Sequence, residues 1–337
     1  FFFVHMKPLW VLLALAAPCS AQFRRAADLW LPMPNGLLYH SDCIHQYDTD
    51  FHVEADTGRV VFADGHSVLH TACSHRPRPA PVNDAAAMRA GYTGPDLNRD
   101  AALAADASRG INADPDRATP GLGRYYSGWS LYAGHTHPAA IGALSSVWRV
   151  PAKPKSAGPA PPLVASSVYI FNGLEDGTGH GGNATLVLQP VLQYGKSGCL
   201  LNPLKLYDWY FTAYLVNGAG HAFCGRNLFV REGDLIQGTM ALVDPNTNKW
   251  QVKATRLSSG ESSVISSTLR PGVTMRAAYL TLEAMVIYGC DQYPASKSVP
   301  FTNNTLRDAA GARAEPNWVP HVPHSECKQA VEVKSSD

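Results

Sequence analysis

The sequence predicts an all-β protein, a two-sheet antiparallel β-sandwich of the jelly-roll kind. Three observations point there. Short apolar runs recur from Tyr125 to Thr302 between Gly, Pro and Asn turns. No long stretch has helical periodicity, and no repeat of fixed period appears. Glycine (28) and proline (25) exceed the ~12% share usual in 337 residues, while charged residues, at 16%, fall below the usual ~25%. The net charge of +1 gives no electrostatic footprint for nucleic acid or an anionic membrane surface, and neither partner is expected.

Residues 1–21 read as a signal peptide with upstream residues. Lys7 is the positive end, Leu9 to Ala17 the apolar stretch, and Cys19-Ser20-Ala21 the small residues before cleavage. The apolar run is far short of the ~20 residues that cross a bilayer, so no membrane span is expected. A secreted chain is implied. Without the signal, six cysteines remain: Cys43, Cys73, Cys199, Cys224, Cys290 and Cys327. An even count in a secreted chain favours disulfides, and six allow about fifteen pairings. Pairing nearest neighbours gives Cys43–Cys73, Cys199–Cys224 and Cys290–Cys327. Asn183 and Asn303 head glycosylation sequons that fit the same compartment.

The remaining chain divides by composition. Residues 34–75 form a small N-terminal β segment, with runs such as Arg59-Val60-Val61-Phe62 before the Asp64-Gly65 turn. Residues 76–123 are Ala, Pro, Asp, Arg and Gly with few large apolar side chains, a linker that cannot offset its chain entropy. The sandwich is expected over 124–306 and a polar tail over 307–337.

Two strands show their faces. In Leu186–Tyr194, Leu186, Leu188, Leu192 and Tyr194 share one face, and Gln189, Val191 and Gln193 the other. In Tyr279–Tyr288, Leu280, Leu282, Ala284, Val286 and Tyr288 read as core. Glu283 then shares the opposite face with Tyr279, Thr281 and Met285, either as a solvated exterior or as the floor of a groove.

Few other constellations carry chemistry. His40, Cys43 and His45, then His66, His70, Cys73 and His75, resemble metal spacings but lack a helix or knuckle beneath them, and their cysteines have a disulfide reading. His135 and His137 share that weakness. No Gly-x-Ser-x-Gly elbow, phosphate loop or dinucleotide fingerprint occurs. No metal or cofactor is expected.

Six segments, in order, resemble the glutamic peptidases (eqolisins). They are Ser146-Val147-Trp148-Arg149-Val150-Pro151, Ser167-Val168-Tyr169-Ile170-Phe171-Asn172-Gly173, Val191-Leu192-Gln193-Tyr194-Gly195, Tyr207-Asp208-Trp209-Tyr210, Glu232-Gly233-Asp234-Leu235-Ile236 and Ala278-Tyr279-Leu280-Thr281-Leu282-Glu283. The resemblance covers about Tyr125 to Thr302 and implies a concanavalin A-like sandwich. After the second segment the family has an acidic residue; here Asn172-Gly173-Leu174 precedes Glu175 and Asp176.

The resemblance implies a secreted acid endopeptidase acting on polypeptide as a monomer. Glu283 is then general base and acid, and Gln193 the donor to the oxyanion, with Gln189 able to assist or substitute. Tyr169, Trp209 and Tyr279 are the implied substrate contacts. A partly desolvated carboxyl has a raised pKa suited to this work, and a neutral amide stabilises an oxyanion without adding charge. The alternative reading is a non-catalytic glycan-binding sandwich.

Overall fold

The computed structural model describes residues 30–79, 126–156, 166–177, 186–200, 207–217 and 220–335. The signal segment, Asn183 and the linker beyond Pro79 lie outside them.

Seven short strands come first: β1 (Trp30–Pro32), β2 (Leu37–His40), β3 (Ile44–Gln46), β4 (Phe51–Glu54), β5 (Arg59–Phe62), β6 (Ser67–Leu69) and β7 (Arg78–Pro79). The body follows as β8 (Tyr126–Arg149), β9 (Ser167–Glu175), β10 (Val187–Gly195), β11 (Trp209–Val216), β12 (Ala222–Cys224), β13 (Leu228–Val230) and β14 (Leu235–Asp244). It ends with β15 (Lys249–Arg256), β16 (Ser262–Thr268), β17 (Met275–Ile287), β18 (Thr302–Asp308), β19 (Arg313–Ala314) and β20 (Val319–His321).

Two layers result, joined by β8. Its first half, Tyr126 to Thr136, pairs with β17; its second half, Ile141 to Arg149, lies between β14 and β18. The ladder skips residues 137–140 between these blocks, where Pro138 has no N–H to contribute. Sheet one runs β20–β8–β17–β9–β10–β11, with β12 and β13 at its edge. Sheet two runs β19–β18–β8–β14–β15–β16 and continues through β4 to β5 and β6.

The expected alternation holds between the layers. Leu188 and Leu192 of β10, with Phe211, Ala213 and Leu215 of β11, pack toward Met240, Trp250, Val252 and Ile265 of sheet two. Asn172 Nδ2 crosses the gap to Gly238 O at 3.0 Å. A Cβ on Gly238 would lie 2.2 Å from Asn172 Oδ1, so only glycine fits that approach.

Three boundaries differ from the sequence reading. Residues 34–75 do not stand apart: β3 adds to β12 and β4 to β16, both in parallel, so the N-terminal piece extends both sheets. Arg78 and Pro79, expected in the linker, pair with Leu37 and Leu38. The tail contributes β19 and β20, because Val319 to His321 finds an open edge of β8. The disulfides are Cys43–Cys73, Cys199–Cys224 and Cys290–Cys327, the nearest-neighbour pairing. Asn303 lies exposed on β18.

Candidate functional site

Register places the expected residues on sheet one. Gln193 pairs with Tyr169 on β9, and Tyr169 pairs in turn with Glu283 on β17. Directly paired residues point to one face, so these three share the outer face of the sheet. Gln189, Gly173 and Tyr279 form a parallel row two same-face positions away. Trp129 continues the Glu283 row onto β8.

That face is neither solvated nor an open groove. The β1–β2 hairpin covers it, with Met33, Leu37, Leu38 and Tyr39 packed in one cluster with Trp129, Tyr169, Phe171 and Tyr279. Glu283, Gln189, Gln193 and Tyr169 are all 0% exposed. Burying four large apolar side chains stabilises the docked hairpin by about 1.5–3 kcal/mol each before entropy is counted. Apolar packing therefore holds the hairpin down, and polar contacts fix its register.

Those contacts run along the hairpin backbone. Tyr169 OH donates to Pro32 O at 3.1 Å, Gln189 Nε2 to Pro34 O at 2.5 Å, and Gly36 N to Glu283 Oε1 at 2.6 Å. Gly36 turns the tip at φ 75°, where a side chain is disfavoured. The carboxyl and the amide hold different peptide bonds. Glu283 meets the nitrogen of Asn35–Gly36, whereas Gln189 meets the carbonyl of Pro34–Asn35.

Gln193 is committed elsewhere. Its Nε2 donates to Asn227 Oδ1 at 2.8 Å, and its Oε1 accepts from Ser197 Oγ at 2.6 Å and from Tyr214 OH. This network braces the edge near Cys199 and reaches the hairpin only indirectly, through Ser197 and Tyr169. Trp209 is also not where a substrate contact needs it. Its neighbour Tyr210 pairs with Gln193, so Trp209 points to the opposite face and packs with Tyr194 between the layers.

The electrostatics single out two carboxyls. Burial holds the Glu283 pKa well above the ordinary value of 4.5, and Gly36 and Trp129 only partly oppose it. Among the described residues, Gln189 Oε1 and Thr281 Oγ1 complete no hydrogen bond. Two such atoms on one buried face depart from the pairing usual in interiors. The second carboxyl is Glu175, on the same face at the end of β9. Burial pushes it up to about 8, Asp176 adds to this, and a hydrogen bond with Tyr279 opposes it. Its charge also raises Glu283. The sequence signal for Glu175 was an acid, followed at once by Asp176, closing a mostly apolar strand.

No protein-family model and no curated protein matches the chain. Similar solved structures include scytalido-glutamic peptidase with a transition state analog inhibitor, at TM-score 0.38 and 16% identity over 56% of this chain and 84% of that one. Another is SCP-B, a member of the eqolisin family of peptidases in complex with the tripeptide Ala-Ile-His, at TM-score 0.37 and 14% identity over 56% and 83%. The CBM2 module of an evolved Dit from Lactobacillus casei BL23 phage J-1 matches at TM-score 0.31 and 12% identity over 52% and 67%. At these scores the likenesses carry no argument, and the reading of the site rests on its own geometry.

Proposed function

We infer that the protein is a secreted endopeptidase of the glutamic type, working in acid and blocked at rest by its own hairpin. One observation carries this reading: a buried carboxyl and a buried amide already grip a peptide backbone, at Gly36 N and Pro34 O. Three disulfides support folding in an oxidising compartment.

The chemistry follows from the two grips. With the hairpin out, water reaches Glu283 and its pKa falls toward the ordinary carboxylate range, so it ionises. The carboxylate takes a proton as water oxygen bonds to the scissile carbonyl carbon. Gln189 Nε2 donates to the resulting oxyanion. Glu283 then returns the proton to the amide nitrogen as the C–N bond breaks, leaving an acid and an amine. Gln189 is favoured over Gln193 as donor, because Gln193 Nε2 already donates to Asn227 and Thr212 and its Oε1 is held by Ser197 and Tyr214. The bound tip is a poor substrate for the same reason that it binds: its two gripped bonds lie one residue out of step.

Incubation with denatured casein at about pH 3 to 6, where a carboxylate exchanges protons readily, tests this. Peptide products are expected, and Glu283→Gln should abolish them. Intact casein throughout, or full activity in Glu283→Gln, overturns the reading.

A specific groove favours a second reading, glycan binding. Tyr47, Phe62 and His66 line it beside Asp48, Asp50 and Arg226, aromatic faces next to charged hydrogen-bonding groups. Glycan-array binding lost in Phe62→Ala, without proteolysis, would support it.

A further inference from the structure

Three histidines meet where the N-terminal piece joins the body. His45 lies on β3, His70 follows β6, and His221 precedes β12. His45 Nε2 is 3.0 Å from His221 Nδ1, and the His45 and His70 rings stack 3.6 Å apart. The His70 and His221 centroids are 6.5 Å apart, and Phe223 packs beside all three rings. A bond between two imidazole nitrogens needs one of them unprotonated. His221 also bonds the Thr71 backbone, which leaves its Nδ1 to accept from His45.

These rings sit on the attachment of the hairpin. His45 comes five residues after β2 ends, and β3 holds β12 over only three pairs, Ile44 to Gln46. Cys43–Cys73 ties the His70 segment to the same piece, so His45 and His70 move together. His221 stays with the body through Asn217, which bonds its backbone at 3.0 Å in both directions.

We propose that His45, His70 and His221 form an acid-operated latch, in which protonation parts β3 from β12 and withdraws the Pro34–Gly36 tip from Glu283. Two protons on the facing nitrogens remove the His45–His221 bond and set like charges against each other. The charges acting on His45 are those of His70 and His221, and the charge acting on His221 is that of His70. Tyr47, whose hydroxyl bonds His70 Nε2 at 2.5 Å, is the further titratable group on the cluster, and Asp48, Asp50 and Arg226 line the groove beyond it.

Burial already holds all three histidines below their ordinary 6.5, His45 at about 3. The closed contact thus binds fewer protons than the open one between about 3 and 6.5, and weakens as pH falls through that window. Glu283 and Glu175 are shifted the other way, so their protons favour the closed hairpin in acid, and the three histidines open it by outweighing that hold. The consequence for activity rests on the peptidase reading; the opening itself does not.

Hydrogen exchange of the Trp30–His40 segment, read by mass and corrected for intrinsic pH dependence, tests the latch on wild type and on Glu283→Gln. In both, protection at about pH 7 should fall at least tenfold by about pH 4, below the ordinary histidine range. Combined His45→Gln, His70→Gln and His221→Gln should keep it, and His221→Gln alone should lower the midpoint if the triple variant does not fold. Protection unchanged in acid, or an unchanged midpoint in the folded variants, overturns the latch. Opening without casein hydrolysis keeps the latch and removes the peptidase reading. Hydrolysis with the hairpin still protected does the reverse.

Discussion

The backbone nitrogen of Gly36 and Oε1 of Glu283 lie 2.6 Å apart, across 247 residues of sequence. Each explains the other. A carboxyl with no exposure needs a partner or a proton, and the hairpin tip supplies one N–H while excluding the water that would supply more. The tip in turn owes its position to a single glycine with positive φ.

Gln189 and Gln193 separate by the kind of loss their removal causes. Gln189→Ala should lower kcat by about 10²–10³-fold, the effect of deleting one oxyanion donor, and, by stranding only Pro34 O, should cost less stability than Gln193→Ala. Gln193→Ala leaves Asn227, Ser197 and Tyr214 short of a partner and should destabilise the fold by about 1–3 kcal/mol for each stranded group. Paired kinetic and thermal-melting measurements on both variants check the contrast. Equal loss of kcat in a well-folded Gln193→Ala would return the donor role to Gln193.

How far the site was legible depended on whether its signal was local. Period-two alternation shows in the sequence that Gln189, Gln193 and Glu283 each oppose an apolar strand face, and the structure keeps those faces. It also holds the parity argument for Trp209: Phe211, Ala213 and Leu215 alternate with Tyr210, Thr212 and Tyr214. Without the register of β11 against β10, nothing told which set faced Gln193. The hairpin cover was invisible for a stronger reason. Leu37, Leu38 and Tyr39 read as an ordinary buried strand, and no local pattern names a partner two hundred residues away.

Gly36→Pro should open the site without acid. Proline removes the N–H that Glu283 accepts and forces φ near −65°, against the 75° of the turn. Casein hydrolysis near neutral pH should rise relative to wild type, together with faster exchange of Trp30–His40. An unchanged neutral rate with a displaced hairpin would show that the tip does not limit access.

The buried carboxyls set a sign for stability against pH. Glu175 titrates near 4.5 when unfolded and about 8 when folded, so the folded state holds the extra proton between those values. Its contribution is complete below about 4.5 and is lost as pH rises toward about 8, at up to ~1.4 kcal/mol per pH unit. Melting temperature should therefore fall from about pH 5 to pH 8, and Glu175→Gln should flatten that slope. A slope unchanged in the variant would assign the loss to other groups.

Cys43–Cys73 holds the His45 and His70 segments together as one unit of the latch. It closes a loop of 30 residues, for which chain entropy gives about 2–4 kcal/mol, and it joins the turn before β3 to the segment after β6 that carries His70. Cys43→Ser with Cys73→Ser should leave the sandwich core folded, because the layers pack through Trp250, Ile265 and Phe211 without these residues. The same change should speed exchange of Trp30–His40, since the segment before β3 and the segment carrying His70 are then no longer held together. Exchange read segment by segment distinguishes the outcomes. Faster exchange confined to residues 30–75 is expected; equal loss across β9, β10 and β17 would mean that the tether supports the whole fold and not the hairpin alone.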